Sequence, residues 1–270
     1  MASMKAMNLV AASKLQKAKN RLDAIRPMSE NVKTLMDSIK AGIGPETEVE
    51  FAEERVVKNV GYIVLTSDRG LCGGFNAILS KEAFAFIDAN KDSSEKIIAV
   101  GSKGVEYFRR RQKNVVHKFN AASEATAFAD AELLGNRVAH MYKEGEIDEL
   151  YIIYTHFESV LSHVPYIERL LPIKADSTEG GGYASISMTY DPDIETFITH
   201  AVPMYLNVTI FGAMMESAVC EQACRMTSMD AATRNAEEII GNLTLEYNRK
   251  RQGMITQEIT EIVSGANALQ

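Results

Sequence analysis

Disulfides are the first thing this sequence lacks. Its three cysteines, Cys72, Cys220 and Cys224, are odd in number and form no framework of spacings, which fits a reducing compartment. A secretory leader is also missing. The N-terminus has no apolar core and passes straight into an amphipathic pattern. No run approaches the ~18 consecutive apolar residues that span a bilayer. The longest apolar patch, residues 208–215, is broken by Thr209 and Gly212, so membrane association is expected only through a partner. Positive charge is in deficit: the formal net charge is -7, which argues against bulk nucleic-acid binding.

Catalytic signatures are missing as well. There is no G-x-x-x-x-G-K-[ST], no G-x-G-x-x-G with a following strand-end acid, no H-E-x-x-H and no G-x-S-x-G. The five histidines, His117, His140, His156, His163 and His200, are scattered. Cys220 and Cys224 stand one helical turn apart and could hold two corners of a metal site. No histidine lies near them in sequence, and two ligands make no site. Acid pairs such as Glu237–Glu238 and Glu258/Glu261 look like solvated helix faces. No catalytic constellation, cofactor or metal is expected.

What is present is a chain of 270 residues, 46% hydrophobic and 24% charged, long enough for one large or two small domains with a real core. Its basic residues are uneven. Lys5, Lys14, Lys17, Lys19, Arg21 and Arg26 face the single acid Asp23, so this stretch is either a solvated helix face or a match for an acidic partner.

The first segment reads as a helix. Met4, Met7, Ala11, Leu15, Ala18, Leu22, Ile25, Met28, Val32, Leu35 and Ile39 recur in steps of three and four, the mark of a coiled-coil seam. Pro27 is expected to bend it without ending the pattern. The seam is rich in Met and Ala, which suits close, adaptable packing more than a tight zipper. Residues 42–45 break the helix, and an acidic stretch follows.

Strands then alternate with helices. Residues 61–66, 96–101, 115–116 and 149–155 read as strands, with helices to about 90, to 111 and over 125–144. Residues 164–171 read as an edge strand, because Pro165 cannot donate to a ladder. This order implies a mostly parallel sheet with helices on its faces. A polar Gly-rich loop covers residues 177–182.

From about Glu195 a helical pattern runs nearly to the end, with no proline after Pro203. Roughly 65 residues at ~1.5 Å each make ~100 Å of helix, more than one compact domain can cover. The N-terminal helix is the expected partner, in an antiparallel two-helix rod. The C-terminal seam is Ala236, Ile240, Leu243, Tyr247, Arg251, Ile255, Ile259, Ile262, Ala266 and Leu269. Met7 is expected beside Ile255, Ile25 beside Ala236, and the tip beyond Ile262 without a partner. Arg251 is a charge on this seam, which points to a contact outside the rod.

The fold class expected is therefore α/β: an antiparallel coiled coil of the two termini, residues 1–42 and 195–270, with a Rossmann-like domain, 55–175, inserted between them. The loop 67–76 follows the first strand and contains Gly70, Gly73 and Gly74. That is where α/β proteins hold phosphates. Without a supporting motif, glycines serving a tight turn and close helix–sheet packing are the favoured reading. Lys103 beside Gly104 carries less weight still.

Three stretches together resemble the γ subunit family of F-type ATP synthases: Lys5-Ala6-Met7-Asn8-Leu9-Val10-Ala11-Ala12-Ser13-Lys14-Leu15, then Thr66-Ser67-Asp68-Arg69-Gly70-Leu71-Cys72-Gly73-Gly74-Phe75-Asn76, then 247–252 with 255–266. Glu221-Gln222, Arg225-Met226, Met229, Ala231-Ala232-Thr233 and Asn235-Ala236 also match, so the resemblance spans the chain in order. It implies a rotating central shaft without chemistry of its own, one copy per complex. Its partners would be the α and β subunits, ε and the membrane ring of c subunits, with no nucleic acid. The setting implied is peripheral, on the cytoplasmic face of a bacterial membrane. Arg251, Gln252 and Thr256 match positions that contact a loop of β, and Met7 matches one facing the β lever. Phe211 and Glu216 fall where the family approaches the c ring. Asp68, Arg69, Gly70, Gly73 and Gly74 are read as a structural loop.

Two departures stand out. Met1-Ala2-Ser3-Met4 replaces a longer family segment before the Lys-Ala-Met motif, so a truncated or misplaced start is expected. Gly253 stands where the family often has Ala, loosening the helix by ~1 kcal/mol. The redox-regulated cysteine loop of chloroplast members is absent. Two other classes stand beside the shaft: a nucleotide-dependent enzyme on the α/β domain, and a self-contained coiled-coil scaffold.

Overall fold

Alternating steps of four and three residues organise the N-terminal helix. The computed structural model describes residues 2–42, 51, 55–90, 92–173 and 194–268. Helix α1 covers Ala2–Gly42 and continues through Pro27. Ala11, Leu15, Ala18 and Leu22 are buried, Ile25 and Val32 pack against the core, and Met36 and Ile39 are buried. With the half-buried Ser29, these make an unbroken alternation of four and three. Met28 and Leu35, expected on the seam, are instead exposed at 44% and 42%. The strict heptad assigns those turns to Ser29 and Met36. A serine is tolerated on the seam because it faces Gly212, where a Cβ would lie 3.1 Å from Ser29 Oγ.

The central sheet follows the expected alternation. Its elements are β1 (Asn59–Leu65), α2 (Phe75–Ala89), β2 (Ser94–Val100), α3 (Ser102–Arg109), β3 (Val115–Phe119), α4 (Phe128–Lys143), β4 (Glu149–Phe157) and β5 (His163–Leu171). The strand order is β3-β2-β1-β4-β5. The first four strands are parallel and β5 is an antiparallel edge. β1 is apolar on both faces because both are covered. Val60, Tyr62, Val64, Ile97 and Ala99 pack against Leu79, Ala83 and Ile87 of α2 and Val105 and Phe108 of α3. Ile63, Leu65, Ile98, Val100 and Ile152 belong to the other core, with Leu134 and Val138 of α4 and with α1 and the last helix.

That last helix, α5, covers Ile194–Ala268, 75 residues including Pro203. By length and composition alone it could cross a membrane, but 61% of its most apolar stretch is buried in this fold. From Leu206 to Cys224 it is buried almost all round, because α1, α4 and β4 surround it. Past Arg234 the described residues are exposed, save the half-buried Ala236 and Asn248.

The antiparallel sense of α1 and α5 is as expected; their axial register is not. Asn8 Nδ2 donates to the carbonyl of Met226 at 3.2 Å, and Lys5 pairs with Glu237 at 2.9 Å. The start of α1 thus lies beside Met226 to Glu237, and Met7 is not beside Ile255. Nor does Ile25 lie beside Ala236, since Ser29, one turn on, meets Gly212. A three-four seam fixes which face meets its partner but permits sliding along the axis. Polar pairs and the Ser29–Gly212 approach select one position. In consequence Ile240, Leu243, Tyr247, Ile255, Ile259 and Ile262 have no cover from α1 and are 47–71% exposed. The loop at 177–182, the breaker at 43–45, the side chain of Ala266 and Leu269 lie outside the described residues.

Candidate functional site

In an open parallel sheet the ligand crevice lies at the carboxyl edge, where strand order reverses. Here that point lies between β1 and β4. β4 runs past its last pairing with β1, Val64↔Ile153. Helix α5 lies alongside the extension: Cys220 Sγ donates to the carbonyl of Thr155 at 3.5 Å, and the amide of Phe157 donates to Glu216 Oε2 at 3.3 Å. One turn further, Cys224 Sγ sits 2.9 Å from His163 Nε2. The end of β4 thus forms one wall of a socket for the long helix. Burial pushes the Cys224 thiol up to about 12 and raises Cys220 further, so both are protonated packing groups.

The Gly-rich loop closes the other side of this socket. Ser67 N donates to Asn76 Oδ1 at 2.9 Å, Asn76 Nδ2 donates to Ser67 Oγ at 2.7 Å, and Ser67 Oγ donates to the Arg69 carbonyl at 2.7 Å. The loop's polar groups are thus directed inward. Cys72 is buried beneath it, with its thiol pushed up by desolvation. Gly73 has φ +56°, and a Cβ there would lie 2.6 Å from Ser228 Oγ of α5. That is the glycine requirement expected of a tight turn against a helix. Arg225 Nη2 donates to the Gly70 carbonyl at 3.4 Å and pairs with Glu221. Both side chains of that pair are nearly buried, at 12% and 10% exposure. Burial raises the Glu221 carboxyl above its usual range, with the Arg225 guanidinium opposing.

Between this loop and α1 lies a cavity of about 600 Å³, lined by Met7, Val10, Lys14, Arg69, Gln222 and Arg225 among others. Met7 and the loop residues Asp68, Arg69 and Gly70, far apart in sequence, therefore share one surface. Half of the basic stripe on α1 is used nearby or along the rod. Lys14 pairs with Glu124 at 2.6 Å, Arg21 donates to the Glu124 carbonyl at 2.6 Å, and Lys5 pairs with Glu237. Burial works against the Glu124 charge, but the Lys14 bond outweighs it and holds the carboxyl below its usual range. Lys17, Lys19 and Arg26 are exposed and make no ion pair among the described residues.

The other expected contact residues lie elsewhere. Arg251, Gln252 and Thr256 are on the uncovered part of α5, roughly 40 Å along the helix from Arg225. Thr256 Oγ1 donates back to the Gln252 carbonyl at 2.9 Å, and Arg251 makes no bond among the described residues. Phe211 is buried and meets Phe128 edge-on at 5.4 Å. Glu216 Oε2 lies 2.6 Å from His156 Nδ1. Both therefore point into the fold. The Glu221–Arg225 pair and the Lys14–Glu124 bond were not singled out as site features from the sequence. Glu221 and Arg225, one helical turn apart within an otherwise apolar stretch, were the visible signal.

A sequence profile described as ATP synthase matches residues 2–269. The chain is 39% identical over 267 residues to the ATP synthase gamma chain of Desulforamulus reducens, covering 98% of this chain and 93% of that one. It is 36% identical over 266 residues to the ATP synthase gamma chain of Brevibacillus brevis, covering 98% and 92%. A solved chain from the central stalk and c-ring of Tetrahymena thermophila mitochondrial ATP synthase superposes with TM-score 0.62 at 23% identity, covering 85% of this chain and 99% of that one. One from Euglena gracilis mitochondrial ATP synthase gives 0.60 at 16%, covering 98% and 95%. At such identities the structural likeness concerns the fold.

Proposed function

The chain belongs to the ATP synthase gamma chain family, and from that premise we propose that it works as the central rotor shaft, carrying torque between a membrane ring and catalytic β subunits without catalysing a step itself. One observation carries the mechanical reading. About 35 residues of α5, from Arg234 to Ala268, present an apolar stripe at three-four spacing that none of the other described residues covers. A free helix of that length and composition is unfavourable in water. A sleeve of α and β subunits around it removes the stripe from water while leaving few directional bonds to break as it turns.

Arg251, Gln252 and Thr256 stand on the uncovered part of α5 as candidates for contact with β. Met7, which lines the cavity beside the Gly-rich loop, is the candidate for contact with the β lever. Phe211 and Glu216, tied to Phe128 and His156, shape the foot from inside, so contact with ε and the c ring falls to their neighbours. Rotation presents different faces of an asymmetric rod to each β. The rod then acts as a ligand with unequal affinity for the open and closed states of β, and turning it shifts their populations. One copy per complex, held peripherally at the cytoplasmic face of a bacterial membrane, completes the proposal.

The nucleotide-enzyme reading is disfavoured by the Gly-rich loop, whose Ser67, Arg69 and Asn76 groups bond one another and whose Gly70 and Gly73 are met by Arg225 and Ser228 of α5. Co-expression with α and β tests the proposal. Expected is a complex containing one copy of this chain with ATPase activity that depends on it. Failure to co-purify, together with micromolar binding of ATP or NAD to the isolated chain, would favour the enzyme instead. A stable homo-oligomer formed without α and β would favour the scaffold.

A further inference from the structure

Two sets of directional bonds join the α/β domain to the rod: one along β4 and β5, where Glu216 meets His156 and Phe157, Cys220 meets Thr155, Cys224 meets His163 and Lys33 pairs with Glu168, and one at the ends of β1, β2 and β3, which converges on Asp68. Its Oδ1 accepts the amide of Ser102 at 2.7 Å and its Oδ2 accepts the amide of Ala121 at 3.1 Å. Its own carbonyl accepts Ser102 Oγ at 3.0 Å. One residue thus links the segments that leave β1, β2 and β3. The segment after β3 reaches α1 through Glu124, which is held by Lys14 and Arg21 at 2.6 Å each. The segment after β1 reaches α5 through the Gly70 carbonyl, held by Arg225, and through Gly73 against Ser228. A closed circuit results: α1, Glu124, Ala121, Asp68, Gly70, Arg225, α5. Only two residues separate Ala121 from Glu124 and one separates Asp68 from Gly70, so the covalent spans in it are short.

Between these two sets the rod–domain contact is largely apolar. Such contact resists separation but is non-directional and offers little resistance to sliding. Hydrogen bonds and ion pairs depend on distance and angle and resist shear. A twist of the domain about the rod would strain both sets, and the Asp68 circuit is the one that ties the ends of β1, β2 and β3 to both helices.

We propose that Asp68 is a positioning residue for torque transfer: it braces the sheet-edge loops so that the α/β domain and both rod helices turn as one body. This rests on the shaft reading. The brace lies at the membrane-ring side of the uncovered helix, where load taken up by the domain must pass into the rod.

The test uses the assembled complex with the β end of the rod stalled by a non-hydrolysable nucleotide. A bead fixed through Lys81→Cys on the exposed face of α2 reports the angular spread of the domain. Asp68→Ala is expected to assemble and hydrolyse ATP normally, to broaden that spread, and to lower ion pumping per ATP against an opposing gradient. An unchanged spread and pumping ratio in an assembled complex overturns the brace while leaving the shaft reading intact. A chain that never joins α and β fails the shaft reading instead. Lys14→Glu and Glu124→Lys supply an arm that does not depend on Asp68. Each single variant is expected to broaden the spread and the double swap to restore it. Singles that match the wild type, or a swap that restores nothing, count against the brace.

Discussion

Replacing Gly73 with valine tests the reading of the Gly-rich loop as structure. Gly73 sits at φ +56°. A non-glycine residue in that left-handed region costs about 1–2 kcal/mol, and a β-branched one is worse placed still. The added Cβ would also stand 2.6 Å from Ser228 Oγ. Valine's methyl groups carry that conflict into the α5 backbone, an overpacking cost of about 1–3 kcal/mol. Together they predict a loss of about 2–5 kcal/mol, or a fall in melting temperature on the order of 10 °C for a chain of this size. The two terms can be separated. Gly73→Ala with Ser228→Gly relieves the clash but keeps the φ penalty, so it is expected to recover part of the loss. Gly70→Ala is the control: its added Cβ meets nothing within 4 Å, and stability is expected to stay within about 0.5 kcal/mol. Thermal unfolding of the chain followed by circular dichroism reads all of these. If Gly73→Val melts like the wild type, or loses a specific phosphate or nucleotide affinity without losing stability, the loop has been misread.

Three further outcomes follow from the same geometry. Arg251→Ala leaves the unfolding of the central domain unchanged, since that residue is exposed and unbonded among the described residues, yet lowers coupled ATP synthesis or assembly; wild-type synthesis in the variant removes its role at β. Cysteines at Asn8 and Met226 form an intrachain disulfide on mild oxidation and cysteines at Met7 and Ile255 do not, as gel mobility with and without reductant will show. Glu221 has a folded pKa raised above its unfolded value, so its contribution to stability is fully present below the unfolded pKa and falls as pH rises through the folded one; Glu221→Gln flattens that part of the stability–pH curve, and an unchanged slope rejects the assignment.

Local patterns in the sequence disclosed the elements and their order. β1, β2 and β4 show as short apolar runs, Pro165 marks the edge strand, and the three-four steps mark both rod helices. Two things were hidden for physical reasons. Seam periodicity is unchanged by sliding one helix along another, so the pairing of Asn8 with Met226 could not be read from either helix alone. Beyond Pro27 the choice between Met28 and Ser29 went to the more apolar residue, whereas the fold keeps the strict heptad and lets Gly212 accommodate the serine. At the site, loop glycines were legible because a turn demands them locally. Their partners were not: Ser228 lies 155 residues from Gly73, and Arg225 grips Gly70 across the same separation. His163 is far from Cys224 in sequence but touches it in space. Long-range polar ties leave no periodic trace.

The most direct test of the account is rotation of this chain inside its complex. With α and β fixed to a surface and a bead on the α/β domain, ATP is expected to drive unidirectional steps of the bead, with one pause for each β in every turn. A complex that contains this chain and hydrolyses ATP while the bead does no more than fluctuate about one angle would contradict the shaft.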